Sequence, residues 1–353
     1  DARGAAFKYE VMGPLIRFVS AHEVGHTLGL PLNLGSSVAY AVDSLRSAYF
    51  TKKYGTAPSI MDYARFNYIA QPEDGDVALM PDIGIYDKYA IKWGYKPITS
   101  ISAEDEKSIL DDWILEHAGD PLYRFGHQQV GDVVDPSSQT EDLGDDAIKA
   151  SAYGIANLKR IVPNLILWTQ EEGKTYEDLE KLYGQVIAQF NRYMGHVSNN
   201  IGGVYEYQKT YDQEGAVYIP VDKEHQENCM AFLQDELFET PEWLLDQNIF
   251  NKIEYSGFLE KVRGMQVRTL DNILSLGKLQ RLLENETANG AEAYRFTAMM
   301  QDLKNGIWSE LKNGSPIDTY RRNLQKAHVD RLAYLMTAEN QKKKPDRPDD
   351  LYY

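Results

Sequence analysis

Two histidines and a glutamate lie close together near the start of the chain. His22, Glu23 and His26 follow the pattern His-Glu-x-x-His. On a helix, side chains four residues apart project from one face, so both imidazoles can bind the same ion. Glu23 would then stand beside the ion and could serve as a general base. The spacing therefore predicts a zinc site that activates water for hydrolysis.

The neighbouring residues predict the helix that this chemistry requires. Gly13-Pro14 is typical of a helix start. Gly29 falls where a left-handed residue would end the helix. The apolar residues between them, which would provide faces for burial, are Leu15, Ile16, Phe18, Val19, Val24 and Leu28. We therefore expect a helix that begins about fourteen residues into the chain and ends at Gly29.

A second motif, Ser-Ile-Met-Asp-Tyr at 59–63, resembles the Met-turn of the metzincin clan of zinc peptidases. The chain is more narrowly similar to the bacterial met-zincin domain family of large zinc-dependent metalloproteases. The segments that carry this resemblance are 22–37, 59–63, 81–87, 90–95, 141–146 and 153–159. The resemblance implies a zinc metalloendopeptidase of the bacterial cell envelope, secreted or periplasmic, that acts on a peptide or protein substrate.

The resemblance also assigns roles to two residues of the turn. It implies that Met61 forms a hydrophobic floor beneath the zinc ion, and that Tyr63 stands near the metal and helps to stabilise an oxyanion. Without the resemblance, Met61 would be interpreted as a core residue that fills a gap, and Tyr63 as a buried aromatic residue with a bonded hydroxyl.

One position departs from the clan's longer motif, which places a third histidine ligand six residues after the second. That position is Leu32, and a leucine cannot bind zinc. Catalytic zinc sites usually hold three protein ligands and leave the fourth position to water. Two histidines alone should therefore bind the ion weakly and orient the water poorly.

Four explanations for Leu32 remain open. Asn33 could provide an amide oxygen after a local shift, although such oxygens are poor zinc ligands beside imidazole. Asp87 could reach the site as a more distant carboxylate ligand. The chain could be a relative that has lost activity, or the histidine could have been replaced in this particular chain.

Two classes of function follow. The first is a zinc metallopeptidase in which Glu23 takes the proton from a zinc-activated water, impaired here by Leu32. The second is a catalytically inactive relative that binds peptides or glycoproteins through the cleft that serves as the active site in active members. The sequence suggests no further cofactor.

Composition limits the partners. The 353 residues carry a formal net charge of −16, which repels phosphate backbones and excludes nucleic acid as an expected partner. We see no long apolar run that would predict a membrane span and no targeting peptide. The single Cys229 excludes an internal disulfide framework.

The predicted fold class is mainly α. We expect the C-terminal part of a zincin-like catalytic domain over 1–118, because too few residues precede the zinc helix to form the sheet that the resemblance implies. Its missing N-terminal sheet would impair the site further. An acidic connecting loop over 119–146 lacks the spacing of a calcium loop and is interpreted as solvated.

A helical domain over 147–340 follows, with a β-hairpin at 204–221. Its predicted helices span 147–162, 175–195, 223–238, 258–280, 288–311 and 317–337. The polar, proline-containing residues 341–353 are expected to form a disordered tail.

Overall fold

The chain is mainly helical, as its sequence predicts. The computed structural model describes the backbone of residues 5–99 and 102–337, and the side chains of these residues from Glu10 onward. In this part of the chain the only sheet is a small two-stranded one. Across the same residues, no helix has the length and apolar character needed to cross a bilayer.

The described chain divides into two compact units. The first comprises the residues up to Ile161 together with Gly202–Val221, and the second comprises Val162–Ile201 and the residues from Asp222 onward. The division at 118 and 146 stays a prediction from sequence. The predicted tail over 341–353 lies outside the described residues.

The first unit contains five helices and the hairpin among its described residues. They are α1 (Ala5–Thr27), α2 (Ala48–Tyr54), α3 (Ile85–Tyr95), α4 (Ala103–Glu116), α5 (Ala147–Ile161), β1 (Val204–Glu206) and β2 (Tyr218–Pro220). The strands are antiparallel, with Tyr205 opposite Ile219. The hairpin was predicted at the right place, but its paired strands are shorter than expected.

Hydrogen bonds attach this hairpin to the first unit. The Val204 amide donates to the Val134 carbonyl at 2.9 Å, and the Arg124 guanidinium donates to the Glu206 carbonyl at 3.1 Å. These contacts join residues about 70 to 80 positions apart, which periodicity along the sequence cannot reveal.

Helix α1 begins earlier than predicted and ends where predicted. It starts at Ala5, so Gly13-Pro14 is not its first turn and Pro14 lies inside it. Proline removes one backbone donor, yet the helix continues past it. At the other end, Gly29 has a φ of +84°. The amides of Leu30 and Gly29 donate to the carbonyls of Gly25 and His26, both at 3.0 Å, which is the Schellman arrangement.

The core of the first unit is formed largely by loops and short turns. Its buried residues are Tyr40, Val42, Leu45, Ala57, Ala64, Ile69, Leu143 and Ala150. A smaller cluster of Phe18, Ile60 and Met61 joins α1 to the 59–63 segment. These clusters make the 59–63 segment part of the packed interior rather than an exposed loop.

The later part of the acidic loop, from Asp135 to Gly144, is largely packed rather than solvated, which corrects the interpretation from sequence for that part. Asp135, Glu141 and Asp142 are all less than a tenth exposed. Asp135 pairs with Arg124 at 2.8 Å and accepts from the Ser137 amide at 2.9 Å. Because these partners satisfy the carboxylate, the segment can be buried in the first unit despite its charge.

The second unit is a helical assembly. Its helices are α6 (Leu165–Thr169), α7 (Glu177–Ser198), α8 (Lys223–Leu233), α9 (Gln247–Ile253), α10 (Phe258–Ile273), α11 (Leu276–Asn289), α12 (Phe296–Ile307), α13 (Glu310–Asn313) and α14 (Thr319–Met336). Helix α10 packs against both α7 and α14.

Several predicted helices of this unit are divided or shortened. The helix predicted over 258–280 separates into α10 and α11 at Leu274-Ser275. Helix α8 passes into a π-helical turn, Gln234–Phe238, and the 288–311 prediction becomes α12 and α13. Helices α6 and α9 were missed because both are short. Apolar spacing continues across such breaks and does not locate them.

The start of α3 provides a test of packing in the first unit. A methyl group on Gly84 would lie 1.7 Å from the Pro58 carbonyl oxygen. We expect Gly84→Ala to lower the free energy of unfolding of this unit by about 1–3 kcal/mol, because the backbone must move. Urea denaturation followed by circular dichroism measures this loss.

Gly94, in the same helix, is the matched control because a methyl group there meets nothing within 4 Å. Gly94→Ala should leave stability unchanged or raise it by up to about 1 kcal/mol through helix propensity. Equal effects of the two substitutions would contradict the assigned contact.

Candidate metal centre

The two imidazoles of the His-Glu-x-x-His motif are neighbours on the last turns of α1. The ring centroids of His22 and His26 are 4.7 Å apart, and the rings are perpendicular. His22 is buried, whereas Glu23 and His26 are exposed. The helix therefore brings the predicted residues together at a place that solvent can reach.

Backbone carbonyls fix the orientation of both rings. The Nδ1 atom of His22 lies 2.8 Å from the Ile60 carbonyl oxygen. The Nδ1 atom of His26 lies 2.9 Å from the Leu30 carbonyl oxygen. A carbonyl can only accept, so in the neutral imidazoles Nδ1 carries the hydrogen and Nε2 has the free lone pair. This is the tautomer in which a histidine binds a metal through Nε2.

Met61 packs directly against α1, between the two histidine positions. It is fully buried, and a methyl group on Gly25 would lie 2.4 Å from the Met61 sulfur. Glycine at position 25 thus allows the thioether to approach the helix backbone. The position of Met61 is compatible with the floor that the resemblance implies.

Tyr63 lies beside the same histidine. Its ring centroid is 5.9 Å from that of His22. Its side chain is half-buried, and its hydroxyl accepts from the Arg65 guanidinium at 2.8 Å. The structure therefore places Tyr63 near the imidazole pair.

Asn33 uses both polar atoms of its side chain elsewhere. Its amide nitrogen donates to the Arg124 carbonyl, and its amide oxygen accepts from the Gly126 amide, each at 2.9 Å. The side chain is fully buried. These contacts tie the 30s segment to the 124–126 segment and do not direct Asn33 to the histidines.

Both carboxylate oxygens of Asp87 likewise accept hydrogen bonds, mainly from the 59–63 segment. One carboxylate oxygen accepts from the Ser59 hydroxyl at 2.6 Å. The other accepts from the amides of Ile60, at 2.8 Å, and Gly84, at 2.7 Å. Asp87 therefore supports the turn that carries Met61 and caps the first turn of α3, and the structure gives it no contact with His22 or His26.

Leu32 occupies the position of the third histidine in the clan's longer motif, in a segment held against the turn. The following residue, Asn33, donates its backbone amide to the Met61 carbonyl at 2.9 Å. Leu32 itself is half-buried. The backbone that would carry a third ligand is thus fixed next to the Met-turn, while its side chain offers no donor atom.

The donor set fits zinc in part. Two neutral imidazole nitrogens are suitable ligands for this ion. Over the described ranges, however, no group of three or more His, Cys, Asp or Glu side chains could hold a metal ion. The described residues thus provide two imidazole donors on adjacent turns of α1 and no third protein ligand beside them.

Two buried carboxyl groups interact near the candidate metal centre, one in the 59–63 segment and one in the acidic loop. Asp62 is fully buried, and its Oδ2 atom accepts from the Ser36 hydroxyl at 2.8 Å and from the Ser37 amide at 2.5 Å. Burial nevertheless raises the pKa of Asp62 to about 7. Burial and the neighbouring charge of Asp62 raise the pKa of Asp142 well above its ordinary value.

Sequence reasoning missed the supporting roles of Asp87 and Asp62. A signal existed for Asp87, since an acidic residue at the third position of a helix can accept from the amide of the N-cap residue, here Gly84. No local signal identified Asp62, whose serine partners lie about 25 residues away in sequence.

Comparison with known proteins identifies the family of the chain. Residues 4–315 match the family model described as Met-zincin. No curated protein and no solved structure matches the chain. Because the family match covers most of the sequence, the chain belongs to the Met-zincin family of zincin-type metallopeptidases. The resemblance inferred from the motifs is confirmed.

The buried carboxyl of Asp62 predicts how stability changes with pH. Its pKa is about 7 in the folded protein, against an ordinary value of 3.8. Between these values the folded state keeps a proton that the unfolded state releases. Stability from this group is therefore fully present at low pH and is lost as pH rises toward 7, by about 1.4 kcal/mol per pH unit for one proton.

We expect Asp62→Asn to flatten the dependence of the unfolding free energy on pH between about 5 and 7, because an amide does not titrate there. Urea denaturation at a series of pH values measures the slope. Asp212→Asn, at an exposed position, is the control and should leave the slope unchanged. An unchanged slope in the Asp62 variant would contradict the pKa assigned to this group.

Proposed function

We propose that this protein is a zinc-dependent metalloendopeptidase whose chemistry rests on His22, Glu23 and His26, and that Leu32 impairs the site in this chain. The observation that carries the proposal is the pair of adjacent imidazoles whose Nδ1 atoms are bonded to backbone carbonyls. This arrangement leaves both Nε2 atoms available to one ion. Membership of the Met-zincin family supports the same chemistry.

The residues of the site divide the work of peptide-bond hydrolysis. A bound zinc ion supplies a nucleophilic water at neutral pH and polarises the scissile carbonyl. His22 and His26 would hold the ion through the Nε2 atoms of neutral imidazoles. Glu23, which is adjacent to His22 and exposed, takes the proton of the attacking water and returns it to the departing amine. Tyr63 donates to the carbonyl oxygen as negative charge develops there.

The substrate class follows from this chemistry and from the family. We assign a peptide or protein substrate and zinc as the cofactor. Export to the bacterial envelope, either secreted or periplasmic, belongs to the same proposal and rests on the family resemblance alone.

A second function is favoured by one specific observation. Leu32 provides no ligand atom, and the polar atoms of Asn33 and Asp87 are engaged in other hydrogen bonds. A relative with these features would bind a peptide or glycoprotein without cleaving it. Zinc binding and hydrolysis after repair of position 32 distinguish the two functions.

Leu32→His is the repair. We expect it to add the third ligand, to raise zinc affinity by at least about 10- to 100-fold, the effect known for residues that only support a ligand, and to produce peptide hydrolysis. The measurements are isothermal titration with zinc, metal content after dialysis, and digestion of an unfractionated peptide library. Leu28→His, at an exposed position near the end of the motif, is the matched control and should give neither gain.

If Leu32→His gains neither zinc affinity nor hydrolysis, the lost ligand does not explain the departure from the motif. A gain of zinc without cleavage of any library peptide would favour the binding function instead.

Glu23→Gln tests the general base in the repaired protein. We expect this variant to keep its zinc, because the amide leaves both imidazoles unchanged. Hydrolysis should fall by roughly 100- to 10,000-fold, because an amide cannot accept the proton of water. Metal analysis and initial rates on the same peptides measure the two properties separately. Retained cleavage would exclude Glu23 from this role.

A further inference from the structure

Two residues near the candidate metal centre adopt a backbone conformation that side chains rarely allow. Arg65 has a φ of +48° and Glu141 a φ of +66°. Within the described ranges, they are the non-glycine residues with positive φ. Glycine adopts this region without steric cost, and asparagine or aspartate at less cost than a long side chain. Some property of the arginine and glutamate side chains must therefore offset the strain at both positions.

The two strained residues form one ion pair. The Arg65 Nη1 atom lies 3.0 Å from the Glu141 carboxylate. The glutamate side chain is 10% exposed and the arginine side chain 51% exposed. Glu141 thus provides a nearly buried anchor, and Arg65 extends from it toward solvent. A half-exposed ion pair alone adds little stability, so fold stability does not account for two strained backbones.

Tyr63 is the residue that this pair holds. The Arg65 Nη2 atom donates to the Tyr63 hydroxyl at 2.8 Å. The guanidinium also stacks over the Tyr63 ring, 4.7 Å from its centroid. The tyrosine is therefore restrained at its hydroxyl and across its face. Its ring lies 5.9 Å from the ring of His22, so the restraint acts beside the candidate metal centre.

The direction of the hydrogen bond has a chemical consequence. Guanidinium can only donate, so the Tyr63 oxygen accepts and its own hydrogen remains available to a second acceptor. A hydroxyl that accepts from a cation is polarised and becomes a stronger donor. An acceptor that gains negative charge during the reaction, such as the carbonyl oxygen of a peptide, benefits from such a donor.

We propose that Arg65, held by Glu141, is a positioning residue that fixes Tyr63 and directs its hydroxyl hydrogen toward the substrate carbonyl. This role rests on the proposed peptidase function for its purpose. The restraint of Tyr63 does not depend on zinc and can be measured in the metal-free protein.

The first test follows Tyr63 itself. 3-Fluorotyrosine is placed at position 63 of the full chain, and its ¹⁹F resonance is recorded without metal. We expect one narrow resonance in the parent protein. In Arg65→Met this resonance should shift and broaden, because the ring loses both contacts. Glu141→Gln should have the same effect to a smaller degree, and Arg65→Lys should restore part of the parent signal because the cation is retained.

Two controls separate positioning from folding. Lys149→Met removes another partly exposed ion pair of the same unit, with Asp43, and should leave the position-63 resonance unchanged. Arg65→Gly relieves the backbone strain while it removes the side chain. We expect its unfolding midpoint to be equal to or above that of the parent, with a resonance shifted as in Arg65→Met.

The second test is kinetic and uses the Leu32→His protein. Arg65→Met should lower kcat by about 10- to 100-fold with a much smaller change in KM. A misplaced donor stabilises the transition state less, whereas the binding of the substrate depends little on it. Arg65→Lys should recover part of kcat.

The outcomes separate this inference from the peptidase function. An unchanged resonance in Arg65→Met overturns the inference whatever the activity. A large loss of stability in both Arg65→Met and Arg65→Gly also overturns it, since the pair would then be structural. If the resonance responds but Leu32→His neither binds zinc nor cleaves peptides, the restraint of Tyr63 stands and the peptidase function fails.

Discussion

The hydrogen bond between the His22 ring and the Ile60 carbonyl is the interaction on which the candidate metal centre depends. It is buried, and it joins α1 to the Met-turn across 38 positions of sequence. One bond sets the tautomer of the first imidazole, the rotation of its ring and the distance between helix and turn. The other contacts, from Asp87 to the turn and from Asn33 to the Met61 carbonyl, keep the Ile60 carbonyl in place.

This dependence explains why the site keeps its shape around Leu32. The segment through position 32 is held by backbone hydrogen bonds, and those bonds do not involve the side chain of residue 32. The side chain at position 32 can therefore differ, as between histidine and leucine, without loss of a contact that supports the turn. Binding and architecture are therefore separable at this position. The backbone contacts around position 32 therefore do not require a particular side chain there.

The sequence predicted those features that short-range rules control. The pairing of His22 with His26 follows from the helical repeat, and the end of α1 follows from Gly29. The mainly α class follows from apolar periodicity in the second half of the chain. The sequence did not predict that α1 would extend through Pro14, or that the acidic residues Asp135 and Asp142 would be buried. Both outcomes depend on contacts that lie outside the local window.

The same distinction applies within the site. Asp87 was singled out as a possible zinc ligand, whereas its observed partners at 59, 60 and 84 belong to two segments that only the fold brings together. Arg65 and Glu141 are separated by 76 positions, and no propensity predicts a left-handed arginine. Sequence patterns thus identified residue types suited to the chemistry, and the contacts between segments determined which of them support it.

The close approach of Met61 to Gly25 also bears on chemical durability. A thioether is among the side chains most readily oxidised, and the sulfoxide adds a polar oxygen to the sulfur. Here the sulfur is fully buried and faces a helix backbone, with no space for even a methyl group between them. An oxidant cannot reach it while the turn stays closed. Sulfoxide at this position would therefore report that the turn had separated from the helix.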